Sequence, residues 1–150
     1  MRWLVAVLVL LAASCAPDQQ VEFADGTRTQ MSHWENRWLV INYWAEWCAP
    51  CRHEIPQLNA LHRTRVEHGV VVLGVNWDGL GGTKLNEVID RMSVGFPTLV
   101  IDPYQQFGYE RAQQLPVTVL INPAREVYEV LIGPQTQKSI LGVIEAAGRS

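Results

Sequence analysis

Apolar and polar positions alternate along this chain with two different periods. Leu39 to Trp44 is an apolar run broken only by Asn42, the pattern of a strand buried on both faces. From residue 49 to 68, Ile55, Leu58, Leu61 and His62 recur at helical spacing, with Gln57, Arg63 and Glu67 elsewhere and Gly69 as the stop. Pro56 lies inside this stretch, where its missing N–H and its ring predict a kink. "VVVLGVN", Val70 to Asn76, is a second buried strand, so the three segments predict a right-handed βαβ unit with a parallel pair.

Upstream, "ADGTR" (residues 24–28) predicts a turn in a polar approach. Downstream, the glycines of Asp78 to Gly82 have neither dinucleotide-binding nor P-loop spacing and predict a plain loop. A helix follows, with Leu85, Val88, Ile89 and Met92 on one face. Phe96-Pro97 and Leu115-Pro116 each open a strand-like run, with a short helix around Tyr104 to Tyr109 between them. The second run turns at Asn122 to Arg125 into "EVYEVLIG", an antiparallel hairpin. Thr136 precedes a last helix whose apolar face is Ile140, Leu141 and Ile144, and no internal repeat appears.

Composition adds two bounds. With 150 residues, 48% hydrophobic and 18% charged, the chain suits one core. A net charge of -3, with twelve scattered Lys and Arg, lacks the basic excess that phosphate-backbone binding needs, so no nucleic-acid partner is expected.

The N-terminus carries a separate signal. Behind Arg2, the apolar run Trp3 to Ala13 is shorter than the roughly 20 residues of a membrane span, and it reads as the core of a secretory signal. Ala12, Ala13 and Ser14 directly before Cys15 resemble a bacterial lipobox, although Ala12 stands where leucine is usual and Leu11 lies one place further out. The resemblance implies cleavage before Cys15 and its acylation, hence a signal peptide 1–14, a tether 15–20 and a domain 21–150. It also accounts for the odd third cysteine; an ordinary signal peptide cut nearby is the alternative.

Cys48 and Cys51, in "NYWAEWCAPCRHEIP", admit three kinds of chemistry. A structural zinc site wants four ligands, yet there is no second cysteine pair and His33, His53, His62 and His68 show no ligand spacing, so neither metal nor cofactor is expected. A structural disulfide across a two-residue gap removes little unfolded-chain entropy. A redox couple fits better. Cys48 falls where strand gives way to helix, so free helix N–H groups stabilise its thiolate, while Cys51, one turn inside and more buried, is placed to resolve a mixed disulfide.

"WLVINYWAEWCAPCRHEIPQL" resembles the active-site segment of the thioredoxin superfamily and, within it, of the membrane-tethered TlpA/ResA/DsbE-like thiol:disulfide oxidoreductases. The resemblance runs from about Val21 to the C-terminus. It implies an α/β thioredoxin-like fold, a central mixed sheet flanked by helices, with an N-terminal extension and a central strand–helix insertion. It implies a cis-proline loop facing the pair. Pro116 fits because hairpin and last helix follow it, and Leu115 is then exposed for strand-like pairing with a partner; Pro97 only starts a strand. Trp47, Ala49 and Pro50 are the other expected partner contacts, Trp44 is core and Glu46 a surface acid. Thioredoxins carry a buried aspartate where this chain has Asn42, so proton handling is assigned to Glu54, matching an active-site glutamate of ResA-like members.

The resemblance further implies work outside the cytoplasm on disulfide-containing envelope proteins, apocytochrome c among them. A reductase there needs a membrane electron donor. A peroxiredoxin-like peroxidase and a copper-binding module share the fold, but the first expects threonine where Ala45 stands and the second a wider cysteine spacing. Replacing Cys15 by alanine is expected to leave a soluble or uncleaved protein, checked by membrane fractionation; a fully processed variant that stays on the membrane overturns the lipoprotein reading.

Overall fold

The computed structural model describes residues 19–149; the proposed signal 1–14, Cys15 and the first part of the tether lie outside the described residues. Among the described residues seven strands form two sheets, accompanied by four α-helices. A two-stranded hairpin pairs β1 (Gln20–Glu22) with β2 (Arg28–Gln30), and a five-stranded sheet has the order β5-β4-β3-β6-β7.

β3 (Trp38–Trp44) is central, parallel to β4 (Val70–Asn76) and antiparallel to β6 (Val117–Ile121). β7 (Val127–Ile132) closes one side as an antiparallel hairpin with β6, its register shifting between Leu120 and Ile121. β5 (Thr98–Leu99) lies parallel on the other side. The mixed sheet expected from the sequence is therefore present, as is the βαβ unit through α1 (Ala49–Arg63).

Strand alternation divides the core in two. Val40 and Trp44 of β3, Val70 and Val72 of β4 and Leu120 of β6 meet Ile55, Leu58 and Leu61 of α1, Leu85, Val88 and Met92 of α2 (Gly82–Met92), and Ile140 and Ile144 of α4 (Gln137–Ala147). Leu39, Ile41, Tyr43, Val71, Leu73, Val117 and Val119 form the other face. Among the described residues no long helix covers it. Its cover is β1, a 3-10 turn at Met31–Trp34, the one-turn helix α3 (Tyr104–Phe107) and the chain up to Leu115.

Three elements differ from the sequence expectation. α1 runs through Pro56 but stops at Arg63 rather than 68, because the Thr64 hydroxyl bonds back to the carbonyls of Ala60 and Leu61, and turns lead to Gly69 at φ +62°. The run at Phe96 yields only two strand residues; Val100 and Ile101 are exposed. The polar approach has its expected turn, fixed by Asp25, which accepts from the Thr27 N–H at 2.9 Å, and by Gly26 at φ +81°, but the flanking residues also pair as a hairpin, which the sequence did not predict. That hairpin blunts the sheet edge: Ala24 N–H donates to Thr98 O at 2.9 Å and Val100 N–H to Glu22 O at 3.0 Å.

Gly74 lets β4 pass under Trp44. A Cβ there would lie 2.8 Å from Thr98 Oγ1, 2.9 Å from Trp44 Nε1 and 3.0 Å from Phe96 Cε2. Gly74→Ala is therefore expected to destabilise the fold by about 1–3 kcal/mol through overpacking, measured by urea titration. An unchanged midpoint shows that Trp44 and Phe96 can move aside.

Candidate active site

The end of β3 hands the chain to residues 45–48, and Cys48 is the N-cap of α1. Pro50 sits in the first turn, where its missing N–H costs no helical hydrogen bond. Cys48 and Cys51 form a disulfide with Cα atoms 5.3 Å apart. The Cys51 N–H donates to Cys48 Sγ at 3.3 Å, so a free helix donor already points at the sulfur on which a thiolate would form. The expected contrast in exposure is nearly absent: Cys48 is 3% exposed and Cys51 fully buried, because both pack into the helix-side core with Trp44 and Ala45. Helix position, not exposure, separates the two sulfurs in the oxidised protein.

Around the pair, Trp47, Ala49 and Pro50 are exposed, Trp47 by 64%. The Leu115–Pro116 bond is cis, as expected, and Leu115 is half-buried against the core cluster that holds both cysteines. The loop before the pair is moored to the central insertion. Trp47 Nε1 donates to the Asp78 carboxylate at 3.0 and 3.2 Å, and Arg91 of α2 donates to Glu46 at 2.7 and 3.1 Å. Arg91 holds the Glu46 carboxyl below its ordinary range. Glu46 is thus a surface acid with a partner, and Asp78 and Arg91 are residues that sequence reasoning missed.

Glu54 has a different environment from a solvated helix glutamate. It is 1% exposed. Asn42 and Thr118 stand opposite each other in the β3–β6 register, both on the helix face of the sheet, beneath Glu54. Asn42 Nδ2 donates to Glu54 Oε2 at 2.9 Å; the Gln135 N–H and Thr118 Oγ1 donate to Oε1 at 3.0 and 3.3 Å. Asn42 Nδ2 also donates to Thr118 Oγ1 at 3.0 Å. Burial raises the Glu54 pKa above its ordinary value, while the donors from Asn42, Gln135 and Thr118 oppose that rise. Sequence reasoning also missed Thr118, whose only signal is that it is the one polar residue in "VTVLI", and the Gln135 backbone has no sequence signal.

A helix-capping CxxC pair, a cis-proline before an antiparallel strand and a central mixed sheet define the class: a thioredoxin-fold thiol–disulfide oxidoreductase. A model described as the AhpC/TSA family matches residues 12–130. The chain is 30% identical over 129 residues to the thiol-disulfide oxidoreductase ResA of Geobacillus kaustophilus, covering 85% of this chain and 72% of that protein. It is 28% identical over 135 residues to ResA of Geobacillus thermodenitrificans, covering 89% and 76%. Among solved structures, a thioredoxin-family thiol:disulfide interchange protein of Chlorobium tepidum superposes with a TM-score of 0.71 at 21% identity, over 88% of this chain and 94% of that one. The chain belongs to the AhpC/TSA family, and with ResA to its thiol-disulfide oxidoreductases.

The raised pKa of Glu54 has a signed consequence for stability. The folded protein binds the Glu54 proton more tightly than the unfolded chain does. Stability from this group is therefore complete below the unfolded value, near 4.5, and falls as pH rises to the folded value. Glu54→Gln lacks this loss. Urea titrations of the two oxidised proteins from pH 4 to 8 should show the variant gaining on the parent as pH rises; a constant difference means that Glu54 titrates alike folded and unfolded.

Proposed function

We propose that this protein is a lipid-anchored protein-disulfide reductase of a bacterial envelope, exchanging disulfides through Cys48 and Cys51, with apocytochrome c cysteine pairs among its substrates. One observation carries the reading: a buried carboxyl, Glu54, stands one helical turn beyond Cys51, and the neighbouring β3 position is filled by the non-titrating Asn42. An acid kept on the resolving side suits a pair that must give up protons as it gives up electrons. The apolar N-terminal run ending at Cys15 supports export and acylation, and likeness to ResA supports exchange with protein disulfides.

In the reducing direction the Cys48 thiolate attacks one sulfur of a substrate disulfide, forming a Cys48–substrate disulfide and releasing the other substrate sulfur as thiolate. Cys51 then loses its proton, with Glu54 as acceptor, and attacks Cys48 Sγ. The products are the Cys48–Cys51 disulfide and the second substrate thiolate, so two electrons have passed to the substrate. Exposed Trp47, Ala49 and Pro50 with the Leu115 backbone next to Pro116 form the partner surface, Leu115 offering strand-like hydrogen bonds. A membrane dithiol donor restores the reduced pair by the same exchange in reverse. Ala45, where a peroxidase would carry threonine, speaks against peroxide as the substrate.

Cys48→Ser is expected to abolish disulfide reduction, and Cys51→Ser to accumulate mixed disulfides. Partners trapped on Cys51→Ser in the native envelope, identified by mass spectrometry, give substrate and direction together. Cytochrome c precursors support the reading, while peroxide consumption without any trapped protein overturns it. Glu54→Gln should slow exchange by up to about 10²- to 10⁴-fold; parental rates from pH 6 to 9 remove Glu54 from the site.

A further inference from the structure

Asn42 is fully buried at the centre of the sheet, and only half of its amide is used. Nδ2 makes two hydrogen bonds, to Glu54 Oε2 and Thr118 Oγ1, whereas Oδ1 is enclosed and has no partner among the described residues. An enclosed carbonyl without a donor costs about 1–3 kcal/mol. The arrangement fits one state of its neighbour: every group touching the Glu54 carboxyl donates, which suits a carboxylate.

A protonated Glu54 needs an acceptor instead. Oε1 keeps the Gln135 N–H at 3.0 Å, so it remains the carbonyl oxygen of the acid. The proton then belongs on Oε2, which faces Asn42 at 2.9 Å. Half a turn of the Asn42 amide exchanges Nδ2 for Oδ1 and supplies that acceptor at the same distance. Nδ2 then takes the enclosed position that Oδ1 leaves, and the Thr118 hydroxyl, no longer receiving Nδ2, turns its hydrogen from Glu54 Oε1 to Asn42 Oδ1; each orientation has one unpaired half of the amide, and the state of Glu54 decides which.

We propose that Asn42 is a two-way positioning residue, its amide donating to the Glu54 carboxylate and turning over to accept from the protonated acid, so that proton transfer at Glu54 and the amide turn occur together. Neither an aspartate nor an aliphatic residue does both. Aspartate cannot donate when ionised and adds a second buried charge; leucine does neither. The other groups on the Glu54 carboxyl are neutral: Thr118 from β6 and the Gln135 backbone from the β7–α4 connection. No charged side chain contributes to its displaced titration, which leaves the reduced cysteines of α1 as the titratable neighbours. The inference rests on Glu54 changing protonation state, not on which disulfide the pair attacks.

The test is the side-chain amide resonance of Asn42 in ¹⁵N-labelled protein, assigned by its loss in Asn42→Leu, followed with the Glu54 carboxyl ¹³C resonance from pH 4 to 9. In the parent, both should move with one midpoint. In Glu54→Gln, whose amide N–H₂ mimics the protonated acid, the Asn42 signal should hold one pH-independent position near the low-pH limit of the parent. Asn42→Leu should raise the Glu54 midpoint, because donation to the carboxylate is the stronger of the two hydrogen bonds Asn42 can make, and should leave the pH profile of thiol alkylation unchanged or lower, since a carboxyl that stays neutral no longer disfavours a nearby thiolate; Asn42→Gln, the conservative variant, should restore part of the shift. An Asn42 signal that stays still while Glu54 titrates, or a Glu54 midpoint unmoved in Asn42→Leu, overturns the inference. Parental exchange rates in Glu54→Gln with the paired NMR titration intact would instead remove Glu54 from catalysis and leave the amide turn standing.

Discussion

A buried carboxyl with no cation against it has to be held by hydrogen bonds, and the site depends on how Glu54 meets that condition. Its donors come from three places: Asn42 on β3, Thr118 on β6 and the Gln135 backbone between β7 and α4. Removing the carboxyl from water favours the neutral acid, and three donors favour the anion. The two effects oppose each other at this one group. The same contacts join the helix bearing the cysteines to the strand that follows cis-Pro116.

The nucleophilic end is governed differently. Cys48 takes its character from being the helix cap, and the loop before it is held from outside by Arg91 on Glu46 and Asp78 on Trp47. These are exposed contacts of modest strength, screened by salt. Glu54 is held in a dry interior, and the loop leading to Cys48 is held by contacts at the surface. Changes in ionic strength therefore act on Cys48 and its approach before they act on Glu54.

Most of the framework was legible in the sequence because apolar periodicity carries it. β3, β4, α2, the β6–β7 hairpin and the last helix fall where their patterns put them. The cysteine pair was legible from its spacing at a strand-to-helix junction, whereas Pro116 was legible only through resemblance, since no periodicity marks a cis bond. What escaped was set by local polar groups or by register. Thr64 ends α1 early by back-bonding, and the "ADG" turn folds a polar stretch into a hairpin that hydrophobicity could not reveal. The meeting of Asn42 and Thr118 is a matter of antiparallel register between residues 76 positions apart, and the Gln135 contribution is a backbone group.

The two faces of the sheet are built unequally, and this bears on how such a protein can diversify. The helix face is one continuous packing problem: a change in α1 is felt at Glu54, Cys51 and α4 together. The other face is roofed by short pieces pinned at a few polar points, such as Tyr43 to Asp102 at 2.5 Å and Arg111 to Asp102 at 3.2 Å. One of those pieces leads directly into Leu115. Insertions or exchanges in the roof can reshape the surface there while the packing around the cysteine pair on the opposite face stays as it is, so the two halves of the molecule are free to vary independently.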